Sequence, residues 1–107
     1  MKPTTFVDLA QQIEVKSDST ISKTLYQDEH LKVVLFGFAA GQELSEHTAA
    51  VPAILHFIEG NAHVTLDGQT QSAKPHSWMH MPARMPHSIL AETPVKMLLL
   101  LLKGSTP

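Results

Sequence analysis

GQELSEHTAAVPAILHFIEG, running from Gly41 to Gly60, is the stretch from which the rest of the chain can be placed. It opens on a glycine, sets a histidine at position 47 and closes on a second glycine after the apolar run AILHFI. Ala53 to Ile58 reads as a strand, because the proline before it tolerates a strand's first position, where its missing N–H is not needed by the ladder. Glu59-Gly60-Asn61 reads as the turn that follows. Ala62 to Leu66 alternates, with Ala62, Val64 and Leu66 inward and His63 and Thr65 outward, and Asp67-Gly68 is a strong hairpin signal leading into a strand from Gln69 to Ala73. Further on, PARMPHSILA (Pro82 to Ala91) supplies a second histidine in a proline-framed turn.

Working outward, Trp78 to Met81 is a short strand that ends at Pro82, Ser88 to Ala91 resumes after the His87 turn, and Val95 to Leu102 closes the set. On the amino-terminal side, Ser19 to Tyr26 fits a half-exposed strand. His30 to Ala39 carries apolar residues on both faces in its second half, which suits a strand covered on both sides or one at a dimer contact. Phe6 to Ile13 has a loose helical spacing and is read as a lead-in arm holding one helical turn. Eight or nine short strands at regular spacing, with no convincing amphipathic helix, predict an all-β sandwich or barrel.

A chain of 107 residues suits one domain: an arm over about 1–18, a core barrel over about 19–102 and a frayed tail over 103–107. A net charge of −2 offers no basic field for phosphates, so nucleic acid is excluded as a partner. With no cysteine there is no disulfide, thiolate metal site or cysteine nucleophile, and any metal must sit on nitrogen and oxygen. The apolar run Met97 to Leu102 is far short of the ~20 residues a spanning helix needs, so no membrane partner is expected. The amino terminus lacks a secretory apolar segment, which gives a cytoplasmic expectation.

The two histidine segments resemble the paired motifs of the cupin superfamily, in its small single-domain, RmlC-like form. The first motif runs G, five residues, H-x-H, three or four residues, E, six residues, G, and Gly41, His47 and Gly60 fall on it. The second runs G, five residues, P-x-G, two residues, H, three residues, N, and Pro82 and His87 fall on that. The resemblance covers about half the chain. It implies a jelly-roll barrel, the double-stranded β-helix, built of two antiparallel sheets, and a homodimer, since the family often pairs barrels through edge strands. The departures are as informative. The second histidine of H-x-H is Ala49, the glutamate is Ala53, the asparagine is Ala91, and the second motif's glycines are His76 and Arg84.

Of the four residues that usually hold a divalent metal in a cupin, His47 and His87 remain. If His47 faces inward, a simple two-residue period places Ala49 inward too, and beyond the turn Ala53, Leu55 and Phe57 line an apolar wall. His80 is the substitute ligand the spacing allows: facing in, it completes a three-histidine set, and facing out, Met79 and Met81 take the interior. Arg84, Trp78 and Phe57 are the ligand-binding candidates, the arginine because a guanidinium grips carboxylates bidentately. His30, His56, His63 and His76 fall outside the set. No serine–histidine–acid spacing, glycine-rich phosphate loop or close carboxylate pair occurs.

Three functions follow as expectations. One is a stand-alone binding module for a small organic molecule, with one divalent ion (zinc, iron, manganese or nickel) as a possible cofactor. Another is a metal-dependent oxygenase or isomerase using His47, His87 and His80. The third is a structural or partner-binding dimer, suggested by the two-sided apolar strand around Phe36 and Phe38.

Overall fold

Alternating side-chain burial is the mark of strands with one face on a core, and the computed structural model, which describes residues 1–104, shows it throughout. The strands are β1 (Thr20–Gln27), β2 (Leu31–Phe38), β3 (Glu43–His47), β4 (Ala53–Glu59), β5 (Ala62–Leu66), β6 (Gln69–Ala73), β7 (Trp78–Met81), β8 (His87–Ala91) and β9 (Val95–Leu102). They form a five-stranded antiparallel sheet ordered β1-β2-β9-β4-β7 and a four-stranded one ordered β3-β8-β5-β6. This is the all-β architecture the strand spacing predicted, in the two-sheet jelly-roll form the resemblance implied. In the arm, the expected helical turn is a 3-10 turn, Leu9–Gln12, opened by an Asp8 side chain that accepts from the Ala10 N–H.

The core fills the space between the sheets. Phe38, Leu55, Phe57, Met81 and Met97 come from the larger sheet and Val64, Ile89 and Ala91 from the smaller, each almost wholly buried. Between them, Asp67 and Gly68 turn β5 into β6 with φ of 49° and 81°, the left-handed pair a tight hairpin requires. At the other end of the larger sheet, Asp28 closes the β1–β2 turn by accepting from the N–H groups of His30 and Leu31. Its second oxygen takes the Tyr26 hydroxyl at 2.6 Å, and that bond chiefly holds the Asp28 carboxyl below its ordinary range.

Both apolar faces of β2 have an intramolecular explanation. Phe36 and Phe38 point into the barrel, opposite Met97 and Val95 of β9. On the other face, fully buried Leu35 and Gly37 lie on the side where the arm crosses. A Cβ at Gly37 would sit 3.5–3.7 Å from the Val15, Ile21 and Ile13 side chains, at ordinary van der Waals contact, so these residues lie directly over that face. Lys96, whose side chain is largely buried, ties the arm in place by donating to the Ala10 carbonyl at 2.6 Å. The apolar second face of this strand is therefore taken by the chain's own arm and does not by itself call for a partner subunit.

At the carboxyl end, the expected fraying has a limit. Lys103 is hydrogen-bonded through its backbone N–H to His30 and through its ammonium to the Asp28 carbonyl. Residues 105–107 lie outside the described residues.

Candidate functional site

Leu44 packs against the core and pairs with Ile89, while His47 pairs with His87. Two residues separate the first two on β3 where one separates their partners on β8, so β3 carries a bulge at Ser45-Glu46. The bulge decides the site. Under strict alternation Leu44 and His47 would face opposite ways; the extra residue returns His47 to the inner face. There its ring lies 4.1 Å from that of His87, centroid to centroid, tilted by 55°. Glu46 stays on the solvent side, exposed.

Each imidazole is held in the same way. Nδ1 of His47 donates to the Ser45 carbonyl at 2.8 Å, and Nδ1 of His87 donates to the Met85 carbonyl at 2.9 Å. A carbonyl can only accept, so both Nδ1 atoms carry the proton, and in the neutral rings both Nε2 atoms present lone pairs. Orientation of one ring nitrogen by a backbone carbonyl is the usual support for a histidine that ligates through the other. His87 is 5% exposed and His47 is open to solvent, which places the pair at the barrel mouth rather than deep in the core.

At the mouth the Arg84 N–H donates to the Ala49 carbonyl at 2.8 Å, adding to the bonds between Gly41 or Gln42 and Ala91 that also join the two histidine segments. Ala49 follows the end of β3, so it belongs to a loop and not to the strand that simple periodicity extended through it. Ala53 is on β4, 1% exposed and inward, between Met81 of β7 and Leu101 of β9. Phe57 is also inward and wholly buried, as part of the packed core.

His80 and Trp78 are elsewhere. In β7 the two methionines, Met79 and Met81, are buried, so the alternation turns Trp78 and His80 to the outer face, where they pair with His56 and Ile54 of β4. The apolar methionines take the interior because burying them releases more water-exposed apolar surface than burying a histidine. His80 thus does not join His47 and His87, and Trp78, 59% exposed, does not line the barrel. Among the described residues no group of three or more histidine, aspartate or glutamate side chains converges as a metal cluster. His63 also points outward, 3.0 Å from the Glu92 carboxylate.

A cleft of about 360 Å³ also opens between the arm and the β1–β2 edge, walled by Phe6, Leu9, Leu25, Leu31 and Val33. It brings no two ligating groups together comparable with the histidine pair.

The comparisons agree with the fold. No family model and no curated protein matches the chain, whereas solved structures match along nearly its whole length. A cupin superfamily protein from Desulfitobacterium hafniense is 27% identical with a TM-score of 0.87, over 97% of this chain and 95% of that one. The chain belongs to the cupin superfamily. A conserved protein of unknown function from Streptococcus pyogenes is similar at 28% identity and a TM-score of 0.87, covering 99% of this chain and 93% of that one. A cupin 2 conserved barrel domain protein from Leptotrichia buccalis is 31% identical with a TM-score of 0.83; the match takes in 89% of this cupin and 46% of that chain.

The backbone also fixes the register of both cupin motifs. All four positions where the motifs call for glycine have left-handed φ: 83° at Gly41, 85° at Gly60, 77° at His76 and 66° at Arg84. This cupin therefore keeps the turns while placing large side chains at two of them. Left-handed φ costs a non-glycine residue ~1–2 kcal/mol, offset in part by the greater unfolded-state entropy of glycine. His76→Gly keeps the N–H bond to the Phe57 carbonyl and is expected to gain about 0.5–1 kcal/mol in urea denaturation. A loss of stability would mean the His76 side chain contributes more than its strain costs.

Proposed function

We propose that this cupin is a small-molecule binding module whose anchor is the His47–His87 pair, with a divalent ion held weakly at the same nitrogens. The observation that carries the reading is the matched support of the two rings, each with Nδ1 on the carbonyl two residues back and Nε2 left to accept. Two lone pairs at an open mouth suit a ligand that donates hydrogen bonds or an ion that brings its own further ligands. The donor set is half of a four-ligand site, since Ala49 and Ala53 stand where the family's other two ligands fall. The enzyme reading asks for a third ligand, and His80 on the outer face is not available for it.

Cobalt(II) titration, followed by visible absorption, tests this. If each protein ligand brings roughly 3 kcal/mol, two give a Kd of tens of micromolar. His87→Ala is expected to weaken binding about a hundredfold, and His80→Ala to leave it unchanged. Equal binding by wild type and His87→Ala would remove the pair from the site.

A further inference from the structure

We infer that the cleft between the arm and the β1–β2 edge binds a medium-chain fatty acid, its hydrocarbon chain laid along the outer face of the larger sheet and its carboxylate on Lys2. The site lies outside the barrel and does not rest on the histidine pair. Val33 and Leu31 pair with Leu100 and Leu102 of β9, whereas Leu99 and Leu101 are the β9 residues that pack against the core, so Val33 and Leu31 face away from it. Beside them β1 carries a bulge. Thr24 pairs with Val34 and Tyr26 with Val33, which leaves Leu25 unpaired between them. The extra residue allows Leu25 and Tyr26 to line the cleft together, although neighbours in an unbroken strand point to opposite faces. Bulges re-aim side chains in this way beside functional sites. Tyr26 is fixed there through its hydroxyl, donated to Asp28 at 2.6 Å.

The chemistry of the walls selects the ligand. Phe6 and Leu9 from the arm and Leu25, Leu31 and Val33 from the sheet are each only half-buried, so every one keeps apolar surface that a hydrocarbon chain takes out of water. The arm wall is tied down just beyond Leu9, by Lys96 on the Ala10 carbonyl and by Lys23 on the Gln12 carbonyl at 3.4 Å. Lys2 lines the same cleft and, among the described residues, is the one charged side chain that does. No carboxylate of the described residues pairs with its ammonium. An apolar trough with a single cation suits an apolar body with a single anionic head. A carboxylate accepts from the ammonium and from the hydroxyl of Thr4, which also lines the cleft. A volume of about 360 Å³ falls near the lower end of the ~300–1,000 Å³ typical of small-molecule sites, which favours one chain over a two-chain lipid.

Isothermal titration calorimetry with octanoate and decanoate, each below its micelle concentration, tests this, with 1-octanol as the uncharged probe. Two further methylenes should tighten binding about tenfold from octanoate to decanoate. Lys2→Gln is expected to weaken both acids about threefold to tenfold and to leave 1-octanol unchanged, because only the acids lose a charged partner. Leu25→Asp, which sets a like charge in the cleft, should weaken the acids at least tenfold, and Lys2→Gln, on the exposed start of the arm, decides the matter if that variant does not fold. His87→Ala should bind decanoate as wild type does, whatever it does to cobalt. No binding of decanoate by wild type, equal affinity for the two acids, acids unaffected by Lys2→Gln, or decanoate lost in His87→Ala would overturn the inference. A second copy of the chain seated on the cleft is the rival occupant; it would show as a dimer in sedimentation that binds no decanoate, and that result overturns the inference too.

Discussion

The double variant Ala49→His, Ala53→Glu is expected to bind cobalt(II) about four powers of ten more tightly than wild type. A structural four-ligand site is worth ~10–16 kcal/mol, so two added ligands at roughly 3 kcal/mol each supply that factor. Half of it would still be a hundredfold and plain in a titration. The two substitutions are not equivalent in this structure. Ala53 is inward and 1% exposed between Met81 and Leu101, so a glutamate there buries a carboxylate in an apolar wall. Without metal, the double variant should be less stable than wild type, because an unpaired buried charge is costly. Adding cobalt should restore the loss and raise the unfolding midpoint with metal concentration, as linkage requires.

Ala49 is held only through its carbonyl, by the Arg84 N–H, in the loop after β3. If Ala53→Glu alone tightens binding and Ala49→His adds nothing, the loop carries position 49 away from the pair. If the double variant folds and neither change tightens binding, the inner faces of β4 and β3 do not converge on one ion, and the pair serves organic ligands alone.

Gly60→Ala is expected to be the most damaging single change of a glycine in the chain. Its φ is 85°, and a Cβ there would fall 1.9 Å from the Pro94 carbonyl oxygen and 2.9 Å from the Pro94 carbonyl carbon. Neither loop can yield easily. The Asn61 carbonyl accepts from the Glu92 and Thr93 N–H groups, and the Asn61 N–H donates to the Thr93 hydroxyl at 2.9 Å, so the turn after β4 is laced to the turn before β9. Backbone overlap added to left-handed strain should cost about 4 kcal/mol or more, in the range reserved for named steric mechanisms. Against a typical ~5–15 kcal/mol of total stability, that lowers the midpoint by about 15–30 °C. Gly41→Ala and Gly68→Ala are the controls. Their φ values are 83° and 81° with nothing within 4 Å of the added atom, so they should lose only the ~1–2 kcal/mol of left-handed strain. Equal losses at all three positions would show that the Pro94 contact relaxes.

Much of this was legible in the residues. Period-two burial in AHVTL and the Asp67-Gly68 turn placed β5 and β6 to the residue, and the proline before Ala53 marked where β4 begins. The four glycine positions of the two motifs are all left-handed, two of them at residues that are not glycine. His47 and His87 could be singled out through the resemblance to the paired family motifs. The bulge could not be read in that way, although the odd interval from Leu44 to His47 was its signal: one apolar and one ligand-type residue that strict alternation sets on opposite faces.

For His80 and Trp78 the sequence left two phases open, because WMHM offers an apolar side chain on either face. The larger sheet chose between them by packing Met79 and Met81 against the core. The carbonyls of Ser45 and Met85, which set both tautomers, leave no trace in side-chain identity, since every residue but its conformation carries the same acceptor. What the sequence by itself determined was local: strand periods, turn chemistry and the two histidines, each fixed by interactions a few residues long. What only the tertiary structure decided was phase and partnership: which way His47, His80 and Trp78 face, and that one arm covers the second face of β2. Those depend on contacts between strands distant in sequence, whose register is set by the burial of the whole core and not by any one segment.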